Sequence, residues 1–200
     1  MNAPELASIP RHLPAAVPFV FIRHGETEAN RQGIIAGSHE PPLNDTGMAQ
    51  ARSIATLMAQ GRWQTVFVSP QHRARQTAQL ALPDYDPVIV DGLRERHWGE
   101  LEGHPMADIC PRYETPPGGE AFEAMCVRVF DAMTVVQGQI TDHVPVIVAH
   151  SGVIRCILHL AGFDGDGPQT ANATPILFRP EGRGWRHDIL SDDLIKEISR

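Results

Sequence analysis

Pro18-Phe19-Val20-Phe21-Ile22-Arg23-His24-Gly25-Glu26-Thr27-Glu28-Ala29-Asn30 joins four consecutive apolar residues directly to a polar, charged cluster. A continuous apolar run of this length suits a strand covered on both faces, as in a parallel sheet. Two later stretches repeat the arrangement. Thr65-Val66-Phe67-Val68-Ser69 runs into Pro70-Gln71-His72-Arg73, and Pro145-Val146-Ile147-Val148-Ala149 runs into His150-Ser151. The carboxyl ends of parallel strands share one edge of the sheet, and ligands bind there. The sequence therefore gathers Arg23, His24, Arg73 and His150 at one rim.

The intervals between these strands carry helical signals. Asn44-Asp45-Thr46 offers a cap, and Met48, Ala51, Ile54, Ala55 and Met58 follow at helical spacing as far as Gly61. Further helices are expected over 72–82, 120–140 and 153–161, the second of these amphipathic through Phe122, Met125, Val129, Met133 and Val136. Short strands are expected at 87–90, 174–178 and 185–190, the last two antiparallel about Glu181-Gly182. From 91 to 119 the chain is charged and rich in Gly and Pro, with a weak helical hint at 106–110, and reads as cover over a site. Alternating strands and helices predict an α/β fold, a three-layer α/β/α sandwich with a mostly parallel central sheet. The length of 200 residues fits a single domain over 18–200, preceded by a flexible arm at 1–17.

Composition narrows the chemistry. The net charge of -7 disfavours nucleic acid as a partner. Sixteen of the seventeen basic residues are Arg, and Lys196 is the single lysine. A lysine nucleophile, a Schiff base and a Walker-type phosphate lysine are thereby excluded from the body of the domain. Three cysteines without a close pair indicate neither a disulfide framework nor a zinc site. The first eighteen residues hold four prolines and no apolar signal segment, and no stretch approaches the roughly 20 apolar residues of a membrane span. A cytoplasmic protein without a membrane partner is the expectation, as monomer or homodimer.

Two guanidiniums and two imidazoles beside a helix start make a pocket for a doubly charged phosphoryl group. A carboxylate is the competing ligand, but four cationic or potentially cationic groups overcompensate a single charge. No Cys precedes an Arg by six positions, so the nucleophile is His or Ser. Ser151 lacks both flanking glycines of a hydrolase elbow. Asp164-Gly165-Asp166-Gly167-Pro168 fails both as an aspartyl-phosphate motif and as a calcium loop, because no buried strand enters it and Pro168 is misplaced. No His-Glu-x-x-His metal motif occurs, and no cofactor is called for. A metal-free reaction through histidine remains.

Arg23-His24-Gly25-Glu26-Thr27-Glu28-Ala29-Asn30 after a buried strand resembles the Arg-His-Gly signature of the histidine phosphatase superfamily, in the branch typified by cofactor-dependent phosphoglycerate mutase. Further blocks resemble the family in order: Pro42-Leu43-Asn44-Asp45-Thr46-Gly47, Ser69-Pro70-Gln71-His72-Arg73-Ala74, Leu93-Arg94-Glu95 with Gly99-Glu100-Leu101-Glu102-Gly103, Pro117-Gly118-Gly119-Glu120, and Val148-Ala149-His150-Ser151-Gly152. The resemblance spans roughly 19–160 and implies a phosphoglycerate mutase-like fold. It makes His24 the nucleophile that becomes a phosphohistidine, with Arg23, Arg73 and His150 on the non-bridging oxygens. Glu95 is implied as general acid, entering protonated to donate to the leaving alkoxide and then activating water. Thr27, Asn30, Gly37 and Ser151 are implied as substrate-binding positions. His97 is read as a substrate contact and Trp98 as packing, where relatives carry an acidic residue and Phe.

Mutases of the family carry extra cover between the Glu block and the long helix. Here 103–118 is only sixteen residues. The expected activity is therefore a metal-independent phosphomonoesterase acting on a small phosphorylated metabolite. The alternatives are a mutase-type phosphotransferase and a catalytically silent phospho-ligand binding module.

Overall fold

Strand β1 (Phe19–Arg23) is buried along its whole length, because its alternating side chains feed two different cores. Phe19 and Phe21 belong to one apolar cluster and Val20 and Ile22 to the other. The computed structural model describes residues 10–138, 143–163 and 170–198. Its six-stranded sheet contains β1, β2 (Trp63–Val68), β3 (Val88–Ile89), β4 (Val144–Ala149), β5 (Pro175–Glu181) and β6 (Gly184–Ile189), in the order β3-β2-β4-β1-β5-β6. The pairs β1–β4, β2–β4 and β2–β3 are parallel. The β5–β6 hairpin pairs antiparallel to β1, completing a mostly parallel sheet of mixed character. Its turn requires Gly182 at φ +60°.

Helices cover both faces, giving three layers. On the face of Phe19, Phe21 and Ile147 lie α5 (Phe122–Gly138) and α6 (Ser151–Leu160), through Met125, Val129, Met133, Val153 and Ile157. On the face of Val20, Ile22 and Val146 lie α3 (Ala55–Met58), α4 (His72–Ala81) and α7 (Asp192–Ile198), through Met58, Ala74, Ala78 and Ile195, with α2 (Asp45–Ser53) packed on α4. A short α1 (Glu28–Gln32) follows β1. No helix among the described residues is long and apolar enough to cross a membrane.

Several expectations change in detail. The single helix expected up to Gly61 breaks at Ile54 into α2 and α3. Helices α1 and α7 have no counterpart in the periodicity, being one turn and two turns long. β3 is an exposed two-residue edge strand. The hint at 106–110 becomes a 3₁₀ turn over Met106–Asp108. The Asp164–Pro168 motif and residues 1–9 lie outside the described residues.

Residues 10–17, which fall within the arm expected at 1–17, pack against α5. Leu13 is only 6% exposed and joins the core beside α5. Gln137 clamps the segment from α5, accepting from the Ala15 N–H at 2.9 Å and donating to the Val17 carbonyl at 3.2 Å. The His12 ring meets Phe130 edge-on at 5.7 Å. A Leu13→Ala change should accordingly cost about 2–5 kcal/mol, read from urea unfolding midpoints; a shift no larger than that of a surface substitution would mean that the segment is not docked in solution.

Candidate active site

The carboxyl ends of β1, β2 and β4 deliver Arg23-His24, Ser69 and His150 to one edge, as adjacent strands. The ladder extends past the strand ends, with the His24 N–H donating to the Ala149 carbonyl at 2.9 Å and the Ser69 N–H to the Val148 carbonyl at 3.0 Å. The segment before β5 pins the same turn. Asn172 Nδ2 donates to the His24 carbonyl at 2.8 Å, and the Ala173 N–H donates to the Arg23 carbonyl at 2.9 Å. Ala173 adopts φ +47°, a backbone region that non-glycine residues rarely occupy. Behind the turn, a Cβ on Gly25 would lie 2.5 Å from the Gly47 carbonyl oxygen, and one on Gly47 would strike Glu26. Both glycines are required by this close backbone crossing.

His24 is buried, and its Nδ1 lies 2.7 Å from the Gly25 carbonyl. A carbonyl only accepts, so Nδ1 carries the proton and Nε2 keeps its lone pair. Burial, then the guanidiniums of Arg73 and Arg23, hold the imidazole pKa well below its ordinary value. The ring is neutral near pH 7 as a result, in the tautomer a nucleophile needs. His150 is fully buried with its ring centroid 5.2 Å from that of His24. Its Nε2 lies 2.7 Å from Ser69 Oγ. That hydroxyl already accepts from the Gln71 N–H at 3.3 Å, and when it donates to Nε2, the proton of the neutral ring resides on Nδ1. Burial and the surrounding cations also lower the His150 pKa well below normal. His150 Nδ1 and Arg23 Nε are both buried and have no hydrogen-bond partner among the described residues.

Arg23 donates to the Thr170 carbonyl at 2.6 Å. Arg73 donates to the carbonyls of His39 and Gly37 at 2.7 and 2.9 Å, which fixes the loop that carries Gly37. The Glu95 carboxylate accepts from the Arg96 N–H at 2.8 Å and from the Gly152 N–H, in the first turn of α6, at 3.0 Å. A Cβ at Gly152 would collide with it. Thr27 and Asn30 close a reciprocal capping box at the start of α1.

These residues meet at one cavity of about 540 Å³, whose walls include Arg23, His24, Arg73, Glu95, Thr27, Asn30, Gly37 and Ser151. His150 abuts His24 without reaching the wall. His97 is exposed and lies on a separate, smaller cavity on the other side of Glu95, so a direct contact with a ligand beside His24 is not supported. Trp98 lines the main cavity.

Sequence reasoning missed four supporting residues. Gln71 donates to the Gly37 carbonyl at 3.0 Å and accepts from the Glu95 N–H at 2.8 Å, tying two walls together. Buried Arg96 donates to the carbonyls of Glu120, Arg112 and Glu114 at 2.9, 3.0 and 2.8 Å, fastening the cover. Arg128 pairs with both oxygens of Glu120 and donates to the carbonyls of Gly92, Arg94 and Glu95. Asn172 is the fourth. The one available signal was position: Gln71 sits between a strand end and a helix start, and Arg96 directly follows Glu95.

A neutral imidazole nitrogen flanked by buried guanidiniums, at the carboxyl edge of a parallel sheet, is the architecture of a phosphoryl-group site. Residues 19–193 match the histidine phosphatase superfamily (branch 1), and the chain belongs to that family. It is 32% identical over 143 residues to the uncharacterized phosphatase PhoE of Bacillus subtilis, covering 69% of this chain and 74% of that one. It is 29% identical over 191 residues to a metal-independent phosphoserine phosphatase of Arabidopsis thaliana, covering 86% and 80%. Among solved structures, a phosphoglycerate mutase from Thermus thermophilus superposes with a TM-score of 0.71 at 32% identity, over 88% of this chain and 100% of that one.

The lowered pKa values give a sign for acid stability. Above about pH 6.5, folded and unfolded forms both hold these imidazoles neutral, and no stability depends on them. Below it the unfolded chain takes up protons that His24 and His150 in the folded protein resist, so stability falls with pH. Urea midpoints between about pH 7.5 and 5 should decline in the wild type, and His24→Asn should reduce the slope by about one proton. An unchanged slope would show that His24 is not held neutral.

Proposed function

We propose that the protein is a metal-independent phosphomonoesterase working through a phosphohistidine on His24. The observation that carries this reading is the state of His24: Nδ1 is committed to the Gly25 carbonyl, leaving Nε2 unprotonated, while two buried groups without a hydrogen-bond partner among the described residues, Arg23 Nε and His150 Nδ1, belong to the same site. Buried donors without partners cost about 1–3 kcal/mol each, and phosphoryl oxygens would satisfy them. Nε2 attacks phosphorus, the ester P–O bond breaks, and Glu95 in its protonated form gives its proton to the departing alkoxide. Glu95 then takes a proton from water as that water attacks phosphohistidine, releasing inorganic phosphate and regenerating His24. Arg23 and Arg73 hold the non-bridging oxygens with charges in place before they are needed, and neutral His150, packed against His24, offers its Nδ1 as a further donor. Residues of the first turn of α6, Ser151 and Gly152, sit beside Glu95 and add the positive end of the helix dipole.

Hydrolysis is favoured over mutase chemistry by the single short cover at 103–118. Relatives of both kinds exist. A mutase would need a bisphosphorylated primer, whereas the proposed hydrolase turns over without one. Among the described residues no group of three or more His, Cys, Asp or Glu is placed to hold a metal ion.

Hydrolysis of 4-nitrophenyl phosphate should therefore proceed in excess chelator and vanish in His24→Ala; persistent turnover in that variant would remove His24 from the nucleophile role. Glu95→Gln should slow an alkyl phosphate by about 10²–10⁴-fold with little change in inhibition by inorganic phosphate. Equal loss of both would make Glu95 a binding group instead.

A further inference from the structure

Resting on the phosphomonoesterase reading, we infer that the alcohol half of the substrate is an apolar, ring-bearing group, and not a sugar, glycerate or similarly hydroxylated acid. The phosphoryl end occupies one part of the 540 Å³ cavity, and the remainder must receive the leaving group. Beyond the catalytic residues, the cavity lining includes Ile34, Trp98, Met106, Ile109, Pro111 and Phe122, with Arg96, Arg112 and Arg155 among them. Met106 and Ile109 are 40% and 36% exposed, although both belong to the cover. Large apolar side chains left open on the rim of a cavity mark a surface that expects an apolar partner. Two aromatic faces are held rigid within it. The Arg96 guanidinium lies 4.4 Å from the Trp98 ring centroid, and Tyr113 meets Phe122 edge-on at 5.4 Å.

Most polar groups in the same region are already engaged. Arg96 donates through Nε, Nη1 and Nη2 to three carbonyls. Thr27 and Asn30 bond one another. Arg155 and Ser151 interact within the protein, as does Arg112, although its buried Nη1 makes no hydrogen bond among the described residues. A polyhydroxylated alcohol would bury its hydroxyls against Ile, Met, Pro and Phe with few acceptors to receive them. An apolar ring loses nothing there and gains from the area it removes from water. Arg112 and Arg155 line this cavity too, so a second anion on the alcohol is the rival specificity, and it is separable by experiment.

The test compares 2-phenylethyl phosphate, glycerol 1-phosphate and 3-phosphoglycerate. All three are alkyl esters, so the intrinsic reactivity of an aryl leaving group does not enter. The phenylethyl ester should have the highest kcat/KM, by about ten-fold or more over glycerol 1-phosphate, the scale of one or two apolar groups in a fitted pocket. Ile109→Asp and Trp98→Ala should each shrink that ratio by several-fold, with the loss larger for the phenylethyl ester than for the glycerol ester. Equal or better turnover of 3-phosphoglycerate, or a ratio unmoved by both variants, would overturn the inference while leaving a phosphatase. Failure of all three esters to be hydrolysed would overturn the phosphatase reading and the inference with it.

Discussion

The hydrogen bond from His24 Nδ1 to the carbonyl of Gly25 is the constraint around which the site is organised. It selects the tautomer, and it can do so only while the backbone of Gly25 is held still. That backbone is fixed from three sides: Thr77 Oγ1 accepts its N–H at 2.9 Å, Gly47 crosses behind it, and Asn172 holds the neighbouring carbonyl. Each comes from a different part of the chain. The core therefore serves a local purpose, which is to keep one peptide in register with one imidazole.

The surrounding arginines act less as charge partners than as multiple donors to backbone. Arg23, Arg73, Arg96 and Arg128 all bond main-chain carbonyls, of residues 170, 37 and 39, 112, 114 and 120, and 92, 94 and 95. A guanidinium can span two or three carbonyls in one plane, whereas an ammonium on a flexible stem cannot hold that fork. The excess of Arg over Lys in the composition thus has a structural use beyond phosphate binding. Carbonyl dipoles also temper the mutual repulsion of cations gathered so closely, alongside Glu95 near Arg23 and Arg73 and Glu120 at Arg128.

Much of this was legible in the sequence, for identifiable reasons. β1 and β4 are buried on both faces, so their apolar runs are uninterrupted, and the polar residues that end them necessarily fall on one edge. Glu95 was legible by its motif alone, since it sits in a chain segment with no periodicity. Gln71, Arg96 and Asn172 were not legible, because each acts through a backbone group distant in sequence, and a donor to a carbonyl leaves no pattern of residue types. The docking of Leu13 escaped for a related reason. A single apolar residue among prolines carries no period, yet one buried leucine and a glutamine clamp suffice to seat the segment.

The cover shows how a short insertion can still shape a cavity. The span from 103 to 118 has little regular structure of its own, so its position must come from contacts outside it. Backbone pairing provides one anchor: the Gly103 N–H donates to the Ile35 carbonyl at 2.8 Å, the Ile35 N–H to the His104 carbonyl at 2.9 Å, and the Met106 N–H to the Gly33 carbonyl at 2.6 Å. Arg96 provides the other, reaching Arg112 and Glu114 from beneath. Two anchors at opposite ends leave Met106, Ile109 and Pro111 between them as a braced arch over the cavity. Because backbone hydrogen bonds brace the arch, Met106, Ile109 and Pro111 can line the cavity without having to hold the arch up.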